Sequence, residues 1–433
     1  MPVNIPETAQ KRVVIIGAGF AGLRLARNLY KHNFQVVLID RNNYHQFQPL
    51  FYQVATSGLE PSSISFPLRK VFQKSENVFI RIAEVRRIMS EKKLIDTTLG
   101  TVWYDYLIIA TGATTNFFGM ESFETNSIPM KSVSEALFLR NTLLENFEKA
   151  VTIRDEEEVR RLLNIVVVGG GPTGVEVCGA LAEMKKFVLP KDYPGLDFNL
   201  MNITLVEANP HLLAGMTEEA GKKALNYLAN LGVEVKLNHK VEKYDGNTVE
   251  LVGQEDLETR SLIWAAGVKG QMPSGIKKEN VVRGNRIKVD TYNQVDGYEN
   301  IFAIGDIAYM ETTDYPQGHP QVAQVALQQA SCLSENFKKM QKGKSLVSFR
   351  YRDKGSMATV GRNRAVVDLP RLRFSGFPAW LVWMFVHLMS IVGVKNRLVI
   401  FINWLWNYMT YDQSLRLIIR PSAKSVEWQK RQK

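Results

Sequence analysis

Two glycine triplets are the residues on which chemistry can be built. Gly17, Gly19 and Gly22 lie in VVIIGAGFAGLRLARNL, which starts at Val13. Gly169, Gly171 and Gly174 lie at the same spacing in IVVVGGGPTGVEVCGALAEM, which starts at Ile165. Each stretch reads as an apolar strand, a glycine turn and a helix. In such a unit the first glycine makes the tight turn, the second lets backbone approach a pyrophosphate, and the third lets helix pack on strand. The phosphates then rest on the unpaired N–H groups of the helix N-terminus. Phe20 and Ala21 in the first loop, and Pro172 and Thr173 in the second, fall inside the same cradles. Glycines between apolar runs also mark simple turns, so each loop needs a second sign.

That sign is an acidic residue closing the next strand, where it accepts hydrogen bonds from an adenosine ribose. QVVLID ends in Asp40, about twenty residues past the first loop as the fingerprint expects, with Arg41 next. NITLVE ends in Glu207, later than usual. The stretch KKFVLPKDYPGLDFNLM at 185–201 accounts for the delay, its Pro and Gly predicting a loop inserted before the strand. The alternative is that both acids merely close exposed strand ends. Two dinucleotide sites is the reading that both loop-and-acid pairs support.

The elements around these loops repeat as well. YLIIATGATTNF, from Tyr106, is a strand followed by Ala110, Thr111 and Gly112, and SLIWAAGV, from Ser261, has the same form with Ala266 and Gly267 after it. ENIFAIGDIA, from Glu299, is a third strand-to-turn signal, and a helix is predicted from Gln321 to Met340. Gly305 and Asp306 close that third strand. Asp306 is expected at a helix N-terminus, either as an ordinary cap or as an acceptor for a polyol hydroxyl. The predicted organisation is α/β, with two Rossmann-like domains of the glutathione-reductase kind. Residues 1–120 and 267–345 form the first, 121–266 form the second, and 346–433 form a C-terminal membrane-associating region.

Charge singles out that last region. The chain of 433 residues carries a net charge of +11, and from Leu346 onward there are 15 Lys and Arg against 4 Asp and Glu. Everything before it is neutral, which argues against nucleic acid as a partner. The basic residues flank FPAWLVWMFVHLMSIVGV, from Phe377, and KNRLVIFINWLWNYMTYDQSLRLIIRP, from Lys395. In the second run Asn396, Asn403, Asn407 and Thr410 fall on one narrow helical stripe, predicted to be a wet edge on an otherwise apolar helix. Trp and Tyr favour the headgroup zone and Lys and Arg favour anionic lipid, so a membrane surface is the favoured partner. A buried helix pair or an interface with a second copy of the chain are the alternatives, and Trp380 to Trp406 could serve packing and lipid together. The first run is near the lower length for a span, about 17 residues. The start, MPVNIPETAQKR, has no apolar core and predicts no secretory signal. Six scattered histidines predict no metal site, and Cys178 and Cys332 form no C-x-x-C.

Taken together the chain resembles the two-dinucleotide-binding-domain flavoproteins, and among them the type II NADH:quinone oxidoreductases. The resemblance runs over nearly the whole chain. It is carried by NYHQFQPLFYQVATSGL from Asn43, the ATG turn, Gly174-Val175-Glu176, Gly305-Asp306, and AQVALQQ from Ala323. In the last, Ala323, Gln324, Ala326 and Gln328 match the family's quinone-site pattern A-Q-x-A-x-Q. The resemblance implies FAD on the first loop, NADH on the second and a membrane quinone as acceptor, with no proton pumping and with the chain on the cytoplasmic face of the inner membrane. It implies that Ala323 and Gln324 lie by the flavin pyrimidine edge, Gln328 along the quinone passage and Gln53 on the flavin side. Glu176 points in this family toward the flavin–nicotinamide junction. A first-turn Glu favoured by the helix dipole is the plainer account of it.

Two related readings stay open. A sulfide:quinone oxidoreductase needs a redox pair of cysteines, and an apoptosis-inducing-factor-like flavoprotein needs a basic surface spread over its folded domains. Cys178 and Cys332 both sit on apolar helix faces, where an inert thiol is the usual finding. The double change Cys178→Ala, Cys332→Ala should therefore leave NADH:quinone turnover within a few-fold. Turnover that collapses while flavin stays bound would favour the sulfide enzyme.

Overall fold

The computed structural model describes residues 1–411 and 415–420. The end of the basic tail, 421–433, and residues 412–414 lie outside the described residues. The chain divides into two units. One comprises Met1–Gln46, Ser65–Thr114 and Val268–Lys354, and the other Phe47–Ile64, Thr115–Gly267 and Gly355–Lys433.

Each unit is built on a five-stranded parallel sheet. In the first the order is Ile301–Ala303, Tyr106–Ile109, Lys11–Ile16, Phe34–Asp40, Val78–Ile82. In the second it is Ile128–Pro129, Ser261–Trp264, Ile165–Val168, Ile203–Glu207, Glu234–Leu237. Val13, Val14, Ile15, Val36, Val37, Leu38, Val167 and Leu205 are completely buried. Burial on both faces explains why these strands are unbroken apolar runs and not alternating ones. The glycine strand lies at the centre of each sheet, between the acid-ending strand and the strand that leads to the ATG or AAG turn.

That placement dictates the glycines. Gly17 (φ 100°) and Gly169 (φ 112°) need a left-handed turn, and a Cβ there would lie 2.3 Å from the Ala110 carbonyl oxygen and 2.6 Å from the Ala265 carbonyl. A Cβ on Gly22 or Gly174 would lie 1.8 or 1.9 Å from the carbonyl oxygen of the first glycine of its own loop. Helix and strand touch there with no room for a side chain. The helices that follow are Phe20–Leu29 and Pro172–Phe187. The loop expected at 185–201 begins later, because the second of these helices runs on to Phe187 and a short turn Leu189–Asp192 follows.

The linear partition differs from these units at several places, and residues 115–120 and Gly267 belong to the second unit. Phe47–Ile64 belongs to the second unit although it lies within the first glycine-loop segment of the chain, and residues 346–354 belong to the first. From Gly355 the second unit adds the antiparallel strands Ser356–Thr359, Ala365–Asp368 and Arg373–Ser375, then the helices Phe377–Ser390 and Val394–Thr410. In the last helix part of the polar stripe faces protein, whereas Thr410 is exposed and donates to the Trp406 carbonyl of its own helix. Asn396 donates to the Ser63 carbonyl (2.9 Å) and Asn407 to the Gly58 carbonyl (3.2 Å), while Leu398, Phe401, Ile402, Leu405, Trp406 and Met409 are exposed. The expected wet edge is thus in part a docking edge, because the Ser63 and Gly58 carbonyls need side-chain donors, which Asn396 and Asn407 supply. Among the described residues no helix is long and apolar enough to cross a membrane.

Gly174→Ala should force helix from strand and lower the melting temperature by several degrees, as overpacking of about 1–3 kcal/mol does in a domain of this size. Gly171, with open space where a Cβ would stand, should tolerate Ala with little change in melting temperature. Equal losses in a thermal scan of the two variants would contradict the packing account.

Candidate functional site

Both glycine loops are held by the acid that the sequence pairs with them. Asp40 accepts from the N–H of Ala18 (2.6 Å) and of Asn42 (2.7 Å). Glu207 accepts from the N–H of Gly170 (2.5 Å) and of Asn209 (2.7 Å). The geometry repeats residue for residue: the N–H after the first glycine on one carboxylate oxygen, the N–H two residues past the acid on the other. The acids therefore close their loops and do not merely end their strands. A carboxylate has about four accepting positions, so both retain capacity for ribose hydroxyls. Burial raises the Asp40 carboxyl above its ordinary value, and the two N–H bonds oppose that rise.

The helices that follow are open at their N-termini. Gly19 and Gly171 are the capping residues and neither gives a side-chain cap, whereas Ser132, Asp155 and Thr217 cap their helices with side-chain oxygens. Space is clear where a Cβ would stand on Gly19, Gly112 and Gly171. Unsatisfied N–H groups, a positive dipole end and room for close approach are what a pyrophosphate needs. The residues present fit a dinucleotide in each unit.

The remaining expected flavin residues gather in the first unit, except Gln53, which belongs to the second. Ala110 donates its N–H to the Ile16 carbonyl (2.8 Å), and the Thr111 hydroxyl donates to the Gln271 carbonyl (2.6 Å). Arg41 reaches the Gln271 amide oxygen (3.4 Å). Asp306 lies in the three-residue turn Gly305–Ile307 and not at the N-terminus of a long helix, since that helix runs from Ala323 to Gln341. The strand Ala308–Met310 and the segment that ends in extended backbone at Val322 separate the two. Gln324 accepts from the Lys354 N–H (3.2 Å), and Gln328 bonds both backbone groups of Arg352 (2.9 and 3.0 Å). The residue that the pattern missed is its neighbour Gln329, completely buried, whose oxygen accepts from the Gly305 N–H (2.7 Å) and whose amide nitrogen has no partner. Its signal is slight: a second Gln after the motif, on the inward face of the helix.

In the second unit Ala266 and Gly267 follow the strand Ser261–Trp264, and Glu176 is the fifth residue of Pro172–Phe187, past the first turn where it was expected, which holds no acidic residue. Glu176 is 8% exposed. It is covered by Trp383, and the Thr359 backbone supplies a hydrogen bond. Burial lifts its carboxyl to about 8, against the Thr359 bond and the nearby Trp383 indole, which favour the charged form. The Trp383 N–H completes no hydrogen bond. His387 stacks on Trp383 (4.0 Å between ring centres) and is pushed by burial down to about 4, so it is neutral. A helix-dipole Glu on a surface would be exposed; this one is not. Gln53 lies in the same unit and links two elements, donating to the Tyr52 hydroxyl (2.9 Å) and accepting from the Trp404 indole (2.8 Å). A cleft opens beside it, walled by Tyr52, Glu183, Arg362, Trp404 and Tyr408. Trp383 and Trp404 could not be told from lipid anchors in the sequence, because aromatic residues on both faces of a helix carry no periodicity.

Comparison with known proteins agrees with this geometry. The family model of the pyridine nucleotide-disulphide oxidoreductases matches residues 11–330, and that of the NDH2 C-terminal domain matches 354–411. A type II NADH:quinone oxidoreductase of Mycobacterium tuberculosis is 35% identical over 414 residues, 92% of this chain and 88% of that protein. One of Staphylococcus aureus is 30% identical, over 82% of this chain and 89% of its own length. Among solved structures, Plasmodium falciparum NDH2 in complex with NADH superposes with a TM-score of 0.87 at 24% identity, covering 95% of this chain and all of that one. The sulfide:quinone oxidoreductase of Aquifex aeolicus gives 0.72 at 20% identity, over 89% of this chain and 92% of that one. These two likenesses speak for the fold.

The buried Glu176 makes stability depend on pH. The unfolded chain ionises this group near 4.5 and the native chain near 8. Between those values the native state holds a proton that the unfolded state has released. Stability should fall as pH rises through that window and level off beyond it. Glu176→Gln, neutral throughout, should flatten this slope in melting scans of the purified holoenzyme from about pH 5 to about pH 9. Parallel curves for the two proteins would mean that Glu176 is not held protonated.

Proposed function

As the chain belongs to the family of type II NADH:quinone oxidoreductases, we propose that it binds FAD on the first glycine loop, oxidises NADH held on the second, and reduces a membrane quinone to quinol. Bound flavin supplies the acceptor for the hydride and the donor for the quinone. The protein's part is to hold two dinucleotides and to admit an acceptor that stays in the bilayer. Hydride transfer demands near-contact between nicotinamide and flavin, which is why both must sit in fixed cradles. Asp40 and Glu207 take the ribose hydroxyls, and Glu207 repels the 2′-phosphate of NADPH. Glu176 can hold a proton at neutral pH and release it, a capacity suited to quinol formation. Gln324 orients the acceptor side without ionising.

The observation that carries the quinone half is the inverted helix Val394–Thr410, whose amides dock on protein and whose Leu, Phe, Ile and Trp side chains face outward. Exposed Leu381, Phe385, Val386 and Met389 of the preceding helix extend that face, with exposed Arg371, Arg373 and Lys395 around it. A face of this kind suits monotopic attachment to anionic lipid, here on the cytoplasmic side of the inner membrane. The reaction moves no protons across the bilayer. The cleft beside Gln53 offers a lipid-soluble ring an aromatic wall.

The sulfide reading finds little support. Cys178 is completely buried and its thiol is pushed far up, and burial also raises Cys332. Anaerobic stopped-flow mixing of the flavin-loaded protein with NADH should bleach the flavin, and a quinone should restore it. Sulfide should not replace NADH; bleaching by sulfide alone would overturn the reading. Gln324→Ala should slow the quinone step more than the NADH step, and slowing confined to the NADH step would remove Gln324 from the acceptor side. Detergent should release the protein from membranes and high salt should not, since aromatic insertion resists screening. Release by salt alone would reduce the tail to an electrostatic contact.

A further inference from the structure

The two loops solve one spatial problem with different residue pairs. In the first, the residue after the leading glycine is Ala18, 2% exposed, and its acid is Asp40. In the second the equivalent residue is Gly170, and its acid is Glu207, one methylene longer. Gly170 does not have positive φ, so its backbone would accept a side chain. Space is what forbids one: a Cβ would lie 3.0 Å from Glu207 Oε2, 3.1 Å from Glu207 Cγ and 2.5 Å from Leu212 Cδ2. Leu212 and the longer acid together close the volume that the alanine methyl fills in the first loop, Leu212 making the tighter contact.

Glu207 is also held more firmly. Its Oε1 accepts from the backbone N–H of Asn209 (2.7 Å) and again from the Asn209 side-chain amide (2.6 Å). Asn42, at the same step in the first loop, gives only its backbone N–H. The segment carrying Asn209 is itself tied down. The Asn209 carbonyl accepts from Asn238 (3.2 Å), and Leu213 donates its N–H to the Gly170 carbonyl (2.8 Å). The carboxylate, the loop and the strap 209–213 form one closed set of hydrogen bonds.

We infer that Gly170, Glu207 and Asn209 act as one selector for the unphosphorylated adenosine ribose, with Gly170 making room for the long acid and Asn209 a positioning residue that keeps its carboxylate turned toward the ribose. The inference rests on the assignment of NADH to the second loop. A carboxylate so fixed meets a 2′-hydroxyl with an accepting oxygen and a 2′-phosphate with an immobile like charge. A carboxylate free to swing away would tolerate both.

Binding of ADP-ribose and of 2′-phospho-ADP-ribose to the full-length, flavin-loaded protein, measured by calorimetry, tests this without turnover. The unmodified protein should prefer ADP-ribose by at least about tenfold, one well-made hydrogen bond to a charged group being worth that much. Gly170→Ala should weaken ADP-ribose binding by about tenfold by pushing the Glu207 carboxylate aside. Adding Glu207→Asp and Leu212→Val, which draw back both obstructing side chains, should restore most of the loss, since Ala and Asp together are the pair that the first loop uses. Asn209→Ala should narrow the preference between the two probes by several-fold while flavin content stays unchanged. An unmodified protein that binds both probes equally would overturn the NADH assignment and the selector with it. A preserved preference in which the Gly170, Glu207 and Leu212 changes merely add, or in which Asn209→Ala leaves the ratio unmoved, would leave that assignment standing and overturn the selector alone.

Discussion

A carboxylate that accepts the N–H directly after a glycine turn is the contact on which this protein depends, and it occurs twice. It joins the end of one strand to the turn that opens the helix preceding that strand in the chain, and so fixes the helix N-terminus relative to the sheet. Asp40 and Glu207 do this at 2.6 and 2.5 Å. The outer glycines of each triplet have no room for a side chain: the neighbouring turn stands where the Cβ of Gly17 or Gly169 would go, and the first glycine's own carbonyl blocks Gly22 or Gly174. The open first turn that results is the anion site. Loop, acid and helix are therefore one device, and the duplicated sheet order is what repeats it.

The C-terminal helices show a second constraint, which is the reverse of the ordinary rule for a helix on a soluble protein. Polar side chains face inward because the loop 58–63 presents backbone carbonyls, and apolar side chains face outward. Such a surface is costly in water and favourable in lipid. The same helices bring Trp383 close to Glu176, while Phe385 and Met389 of the same helix are exposed. One element thus serves two environments, and the protonation of a buried acid depends on how that element is seated.

The glycine spacing and the strand-end acids were legible because close backbone approach leaves few residue choices. Gly17, Gly22, Gly169 and Gly174 could hardly be anything else, and the strands between them are buried on both faces. The ATG and AAG turns were legible for the same reason, as each abuts its glycine. What could not be read was contact between distant segments. Nothing local to Asn407 says that its partner is Gly58, and a stripe of amides looks the same whether it meets water or carbonyls. Gln329 was hidden by its neighbours in the motif, and Gly170 by the two glycines beside it. Asp306 was placed on the wrong kind of turn because a Gly-Asp pair begins short and long helices alike.

The central claim is that one loop holds the resident carrier and the other the exchanging donor. Flavin content and NADH affinity of two purified full-length variants, Asp40→Asn and Glu207→Gln, measure it most directly. Each change removes a charge and leaves the fold of the other unit untouched. The account predicts that Asp40→Asn emerges depleted of flavin, whereas Glu207→Gln retains a full complement of flavin and binds NADH weakly. A flavin-depleted Glu207→Gln protein beside an Asp40→Asn protein with its flavin intact would contradict the assignment of the two loops.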